Sequence, residues 1–187
     1  LLNQSGVPYH LYLQPDICNK ALPDYKLYVF LNAHQVRPAE AAAIKALRRG
    51  GKALAFVHAP GVVGAADPAA AITDLTGIPV RKLDGDIRLS ANVAPTAGPL
   101  RVGDALSSAG LMGPAFAAED PKARVVGTYA EGGTAVAARD FGTWKSLFFG
   151  PIGMTDTFIN ALARWAGAWV AAPAGDAVYA SQILDAS

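Results

Sequence analysis

KALAFVHAPGVVG, residues 52–64, is the stretch from which the fold can be read. After Lys52 every residue through Val57 is apolar, as in a strand covered on both faces. The run ends in His58-Ala59-Pro60-Gly61, a tight turn. Strand-to-turn junctions of this kind are where α/β enzymes display a nucleophile. Here no Ser, Cys or Thr appears until Thr73, so the position for covalent chemistry reads as vacant.

Working outward, PAEAAAIKALRRGG (38–51) reads as a helix. Pro38 lies in its first turn with Glu40 close by, Ile44 and Leu47 share a face, and Arg48-Arg49 precede Gly50-Gly51. Acid first, base last and glycine at the stop suit the helix dipole and the C-cap. Before it, YKLYVFL (25–31) is a second apolar strand, so strand, helix and strand form a βαβ unit with a parallel sheet. After the turn, Asp67 is placed to cap a helix with Pro68 at its first position, Ile72 and Leu75 inward and Gly77 as the stop.

Farther out, VPYHLYL (7–13) has the β-branched and aromatic content of a strand, and residues 15–24 form a short connection with a helical turn. LLNQSG (1–6) reads as the end of a helix stopped by Gly6. Glycines and prolines break residues 78–122 into a loop-rich insertion, with short strands expected at 79–83, 87–91 and around Arg101 and partly antiparallel pairing. Residues 124–130 and 134–139 flank Glu131-Gly132-Gly133, a hairpin turn, and TWKSLFF (143–149) is a further apolar strand ending at Gly150-Pro151. A helix starting at Thr155 or Asp156 aligns Phe158, Ile159, Leu162, Trp165 and Ala166 on one buried stripe, and AVYAS (177–181) reads as a last strand.

The 187 residues fit one α/β domain, large enough to bury about 70% of its unfolded surface. Charged residues are 17% of the chain against 52% hydrophobic, so either the core is large for the surface or some surface is covered. With 16 basic and 15 acidic side chains the net charge is +1, which gives no electrostatic case for nucleic acid or an acidic membrane. The single cysteine, Cys18, excludes an internal disulfide and a multi-cysteine metal site. No run reaches the ~18 apolar residues of a membrane span.

The order GVPYHLY, DYKLYVFLNA, PAEAAAIKALRRGGKALAFVHAPG, WKSLFFGP, LARWAGAWV and DAVYAS resembles the class I glutamine amidotransferase-like fold. More narrowly, it resembles the trimerisation domain of family 42 β-galactosidases and related glycoside hydrolases. The resemblance implies a three-layer, flavodoxin-like, mostly parallel sheet excised from a larger protein, whose first strand and most of whose first helix lie upstream. In active members a Cys sits at the turn after the strand spelled KALAFVHA here, served by a His and an acid from later in the chain. Carried over, that slot falls at or next to Ala59, followed by Pro60 and Gly61, and alanine cannot attack a carbonyl. The only histidines, His10, His34 and His58, come too early to supply the late base.

The implied role is a non-catalytic accessory or oligomerisation domain of a β-galactosidase-like parent, with other copies or other domains of that parent as partners. The alternative is a domain that binds a sugar or small molecule in the crevice at the strand C-terminal ends near His58. A third reading, a hydrolase site within 78–130, lacks the Ser/His/acid spacing. No cofactor is implied. The spacing of His10 and His34, even with Asp16 or Asp24, matches no zinc signature, and Gly61 and Gly64 lack the rest of a phosphate-binding motif. Cys18, with only Lys20 as a nearby cation, reads as a half-buried small residue rather than a reactive thiol. Asp84 and Asp86 about Gly85 read as a turn, and Arg48-Arg49 as serving the helix C-terminus. Trp165 belongs to the helix stripe, while Trp144 and Trp169 could stack on sugar rings if exposed. AGLMGPAFAA (109–118) is the apolar stretch that hints at a covered surface.

Overall fold

A computed structural model describes residues 2–103, 105–107 and 110–176. In chain order the first half comprises β1 (Leu27–Phe30), α1 (Pro38–Ala46), β2 (Lys52–Val57), α2 (Pro68–Thr76), β3 (Val80–Lys82), β4 (Ile87–Arg88) and β5 (Ala91–Val93). The second half comprises β6 (Ala105–Ser107), β7 (Leu111–Met112), β8 (Phe116–Ala118), β9 (Arg124–Thr128), β10 (Thr134–Asp140), β11 (Trp144–Phe149) and α3 (Asp156–Ala166). The main sheet runs β1-β2-β11-β10-β9-β5-β6, with β8 joining β10 to β3, while β4 and β7 pair apart from it.

β2 is the hinge of the architecture. It pairs in parallel with β1 on one side and β11 on the other, and all its residues are buried. Its side chains alternate small and large across the two faces. Leu54 and Phe56 pack with Ile44 of α1, Leu75 of α2 and Trp144. Ala55 and Val57 face Phe158, Ile159 and Leu162 of α3, together with Leu147 and Phe149. Helices therefore cover both faces at the parallel end of the sheet. The caps follow the sequence: the Asp67 carboxylate accepts from the Ala70 N–H at 3.0 Å, the Thr155 hydroxyl accepts from Phe158 N–H at 3.1 Å, and Gly77 closes α2 at φ 70°.

The remaining pairings differ from a mostly parallel sheet. β10 is antiparallel to β11, β9 and β8, and β3–β8, β4–β7, β5–β6 and β5–β9 are antiparallel too. The reason is connection chemistry. Parallel neighbours need a crossover, which α1 supplies between β1 and β2, whereas Gly132 and Gly133, both at positive φ, fold β9 straight back onto β10.

Four other expectations change. Residues 7–13 form no strand: their backbone joins no ladder, and Leu11 and Leu13 are 75% and 77% exposed. Residues 87–91 split into β4 and the start of β5, in different sheets. Around Arg101 there is a 3-10 turn, Pro95–Leu100, and the strand starts only at Ala105. Arg48 serves a helix C-terminus, but that of α2: its guanidinium donates to the Asp74 and Leu75 carbonyls and lies 4.9 Å over the Trp144 ring. The expected strand at 177–181 lies outside the described residues. Leu2–Gln4 is a single 3-10 turn, and Gly6 follows it at φ 70°. A side chain at Gly6 would meet the Ala172 carbonyl oxygen at 2.1 Å.

Candidate functional site

The C-terminal ends of β2 and β11 meet at a short piece of unusual backbone. Phe149 carbonyl accepts from the His58 N–H at 2.7 Å, so the ladder runs one residue beyond β2. The chain then turns sharply. His58 is the only non-glycine residue with positive φ (62°) among the described residues. A left-handed histidine at a strand end is uncommon and persists only when its surroundings hold it. Here the Nδ1–H of its ring donates to the Gly150 carbonyl at 2.9 Å. Gly150 is itself wedged, since a Cβ there would meet the Tyr129 hydroxyl at 2.2 Å and the Ala135 carbonyl at 2.9 Å.

Ala59, the expected nucleophile slot, is 1% exposed and packs with Ile72, Ile78 and Phe148. Pro60 is buried as well. Gly61 adopts φ 75° and donates its N–H to the Ala33 carbonyl at 2.8 Å. The side chain at this junction that lines the crevice beside Ala59 is thus that of His58.

His34, half-buried in the loop after β1, completes the arrangement. Its Nδ1–H donates to the Ala59 carbonyl at 3.3 Å, and its ring meets that of His58 edge to face with centroids 5.7 Å apart. A carbonyl can only accept, so both rings carry their hydrogen on Nδ1; in the neutral form each keeps a lone pair on Nε2. Burial, opposed in part by the Gly150 hydrogen bond and aided by the neighbouring His34, lowers the His58 pKa below its usual 6.5. At neutral pH His58 is an uncharged acceptor.

The two rings line a crevice of about 300 Å³ shared with Leu31, Asn32, Val57, Ala59, Val62, Val63, Met112, Pro114 and Ile152. Among the described residues no carboxylate, lysine or arginine lines it, so these residues offer neither the acid pair of glycoside hydrolysis nor a charged anchor. The pairing of His34 with His58 was not visible in sequence, where 23 residues intervene. The one available signal was the βαβ unit itself, which brings the ends of consecutive parallel strands side by side.

The other candidates disperse. His10 is exposed and its Nδ1 meets the Tyr25 hydroxyl at 2.7 Å, in an aromatic cluster with Tyr12 and Tyr28. Burial and the Tyr12 hydroxyl raise the Tyr25 pKa to about 12. Among the described residues no group of three His, Cys, Asp or Glu converges as a metal site would require. Cys18 is exposed rather than half-buried, on a groove of about 530 Å³ beside α1 that also includes Lys20 and Arg49. Asp84 and Asp86 flank Gly85 at φ 67° in the turn between β3 and β4. Trp144 is buried against Phe141 with ring centroids at 4.5 Å, Trp165 is half-buried beneath the Lys145 ammonium, and Trp169 is 71% exposed. Of the apolar stretch 109–118, Leu111 and Met112 are exposed and residues 115–118 are buried. No described helix is long and apolar enough to cross a membrane.

No family model matches the sequence, and no curated protein matches it. Solved structures do share its fold. A polyextremophilic β-galactosidase from the Antarctic haloarchaeon Halorubrum lacusprofundi superposes over 80% of this chain with a TM-score of 0.55 at 16% identity. The cold-adapted β-galactosidase from Rahnella sp. R3 covers 80% at 0.51 and 16% identity. A catalytic mutant of Gan42B, a GH42 β-galactosidase from G. stearothermophilus, covers 75% at 0.50 and 18% identity. At such identity the likeness is one of fold. The chain spans only 22%, 24% and 21% of those proteins, so it corresponds to one portion of each.

Proposed function

We propose that this chain is a non-catalytic assembly domain, flavodoxin-like and related to the glutamine amidotransferase-like fold, within a longer glycoside-hydrolase-like protein. The likeness to a minor portion of GH42-type β-galactosidases supports the parent class. Ala59 in place of a nucleophile and a crevice without an acid support the absence of chemistry.

The observation that carries the assembly role is the side of β1 that has no strand neighbour among the described residues. β1 ends the sheet, and beside it Val29 and Leu31 are 37% and 40% exposed. The segment 7–13 adds Tyr9, Leu11, Tyr12 and Leu13 as exposed apolar groups. Neither β1 nor this segment carries a charge, so nothing there opposes a second chain. Light scattering over a range of concentrations tests the reading. A defined dimer or trimer that persists on dilution is the expected outcome, and a monomer at every concentration overturns it.

A second reading is favoured by one observation, the left-handed His58 on the wall of an open crevice. Strain of this kind concentrates at binding and catalytic sites. On this reading the domain binds a sugar or another small molecule there, independently of its assembly.

A further inference from the structure

We infer that the His34–His58 crevice takes a small uncharged molecule with an apolar body and one O–H or N–H group, which donates to one of the two Nε2 lone pairs. The inference rests on the second reading above and narrows it away from sugars. Four observations carry it. Both imidazoles are held by backbone carbonyls at Nδ1, which fixes the tautomer and leaves the acceptor nitrogen for a ligand. The remaining wall is built from Leu31, Val57, Val62, Val63, Pro114 and Ile152, with Met112 as an adaptable thioether.

Third, a sugar presents hydroxyls around its whole ring and needs several polar partners, whereas among the described lining residues only Asn32 offers a polar side chain beyond the two histidines. Fourth, a volume of about 300 Å³ stands at the small end of ligand pockets, which suits a single-ring molecule. An ionised ligand is disfavoured because no described residue of the wall carries an opposite charge. The backbone strain at His58 is consistent with selection for ring placement, since a glycine would satisfy the same turn without it.

The test uses the whole chain at pH 7.5, reading the imidazole nitrogens of His34 and His58 by NMR during titration with p-cresol, p-methylanisole and, separately, galactose. The expected result is saturable p-cresol binding in about the millimolar range that moves both histidines. p-Methylanisole, the same body without the donor, then binds roughly tenfold more weakly, the worth of one hydrogen bond. Val63→Glu, at a 55% exposed wall position whose change leaves the core intact, abolishes the p-cresol response.

Equal binding of p-cresol and p-methylanisole overturns the inference, because the lone pairs are then unused. If galactose saturates and p-cresol does not, the inference falls and the binding reading stands; if neither binds, both fall. A response of the two rings to micromolar zinc chloride with none to p-cresol also overturns it, in favour of an ion.

Discussion

Residues 7–13 and β2 are two apolar, strand-like stretches with opposite fates. VPYHLYL and KALAFV are similar in hydrophobic content, and both satisfy the compositional rules for strands. β2 has a hydrogen-bonded neighbour on each side and a helix over each face, and every one of its residues is buried. Residues 7–13 join no ladder among the described residues, and four of their large side chains face solvent. Composition thus specifies compatibility with a sheet, and the partner decides whether the strand forms. A further difference lies in shape. β2 alternates Ala53, Leu54, Ala55 and Phe56, a small face for α3 and a large face for α1 and α2, whereas the N-terminal segment has no such division.

The contrast breaks most readily in the core around β2. Phe149 is fully buried, lies 5.4 Å from the Phe158 ring and packs beneath α3. Phe149→Ala is expected to cost about 3–5 kcal/mol in urea unfolding, from lost transfer energy and the cavity left behind. A loss below about 1 kcal/mol would mean that the two stretches do not differ in burial as described. A smaller effect is expected at the cap of α2, which covers the large face of β2. Asp67→Ala removes the acceptor for Ala70 N–H and should cost about 1 kcal/mol.

Next comes a dependence on pH at the end of β2. The folded His58 resists protonation, while in the unfolded chain its ring titrates near the usual 6.5. Below that value the unfolded state binds more protons than the folded one, so stability falls as the pH drops through 6.5 toward the lowered folded value. Above 6.5 the group contributes no slope. His58→Asn, which tolerates positive φ, should flatten the decline between about pH 5 and 7, measured as unfolding free energy against pH. An unchanged slope would show that the crevice accommodates a charged ring.

Much of this arrangement was legible in sequence, for reasons the residues make plain. Asp67-Pro68 and Gly77 bracket α2 because capping is local, and Glu131-Gly132-Gly133 marks its hairpin because positive φ is local. The helix stripe from Phe158 to Ala166 was legible because its period is unambiguous. The antiparallel pairing of β10 with β11 and of β5 with β9 was not, since it depends on which distant segments meet. His58 shows the same limit at the site. Its strand and turn were evident, but its left-handed backbone is imposed by the Phe149 and Gly150 carbonyls, 92 residues away for the ring contact. Arg48 likewise finds its carbonyls on another helix, where no local rule could place it.

The smallest expected effect on stability is also the sharpest test of the comparison. Leu11 and Leu13 are exposed and join no core cluster, so Leu11→Ser with Leu13→Ser should change unfolding free energy by no more than about 0.5 kcal/mol. If residues 7–13 are strand-compatible surface waiting for a partner, the same pair of changes must act on association instead. The light-scattering mass should then shift toward monomer at a given concentration, with the unfolding midpoint measured under dilute conditions unmoved. Loss of stability without change in mass would place these leucines inside the fold and erase the distinction from β2. No change in either would leave residues 7–13 an idle surface and move the search for the assembly contact to the exposed Leu111 and Met112. The two readouts separate because burial against one's own chain is independent of concentration, whereas burial against another chain follows mass action.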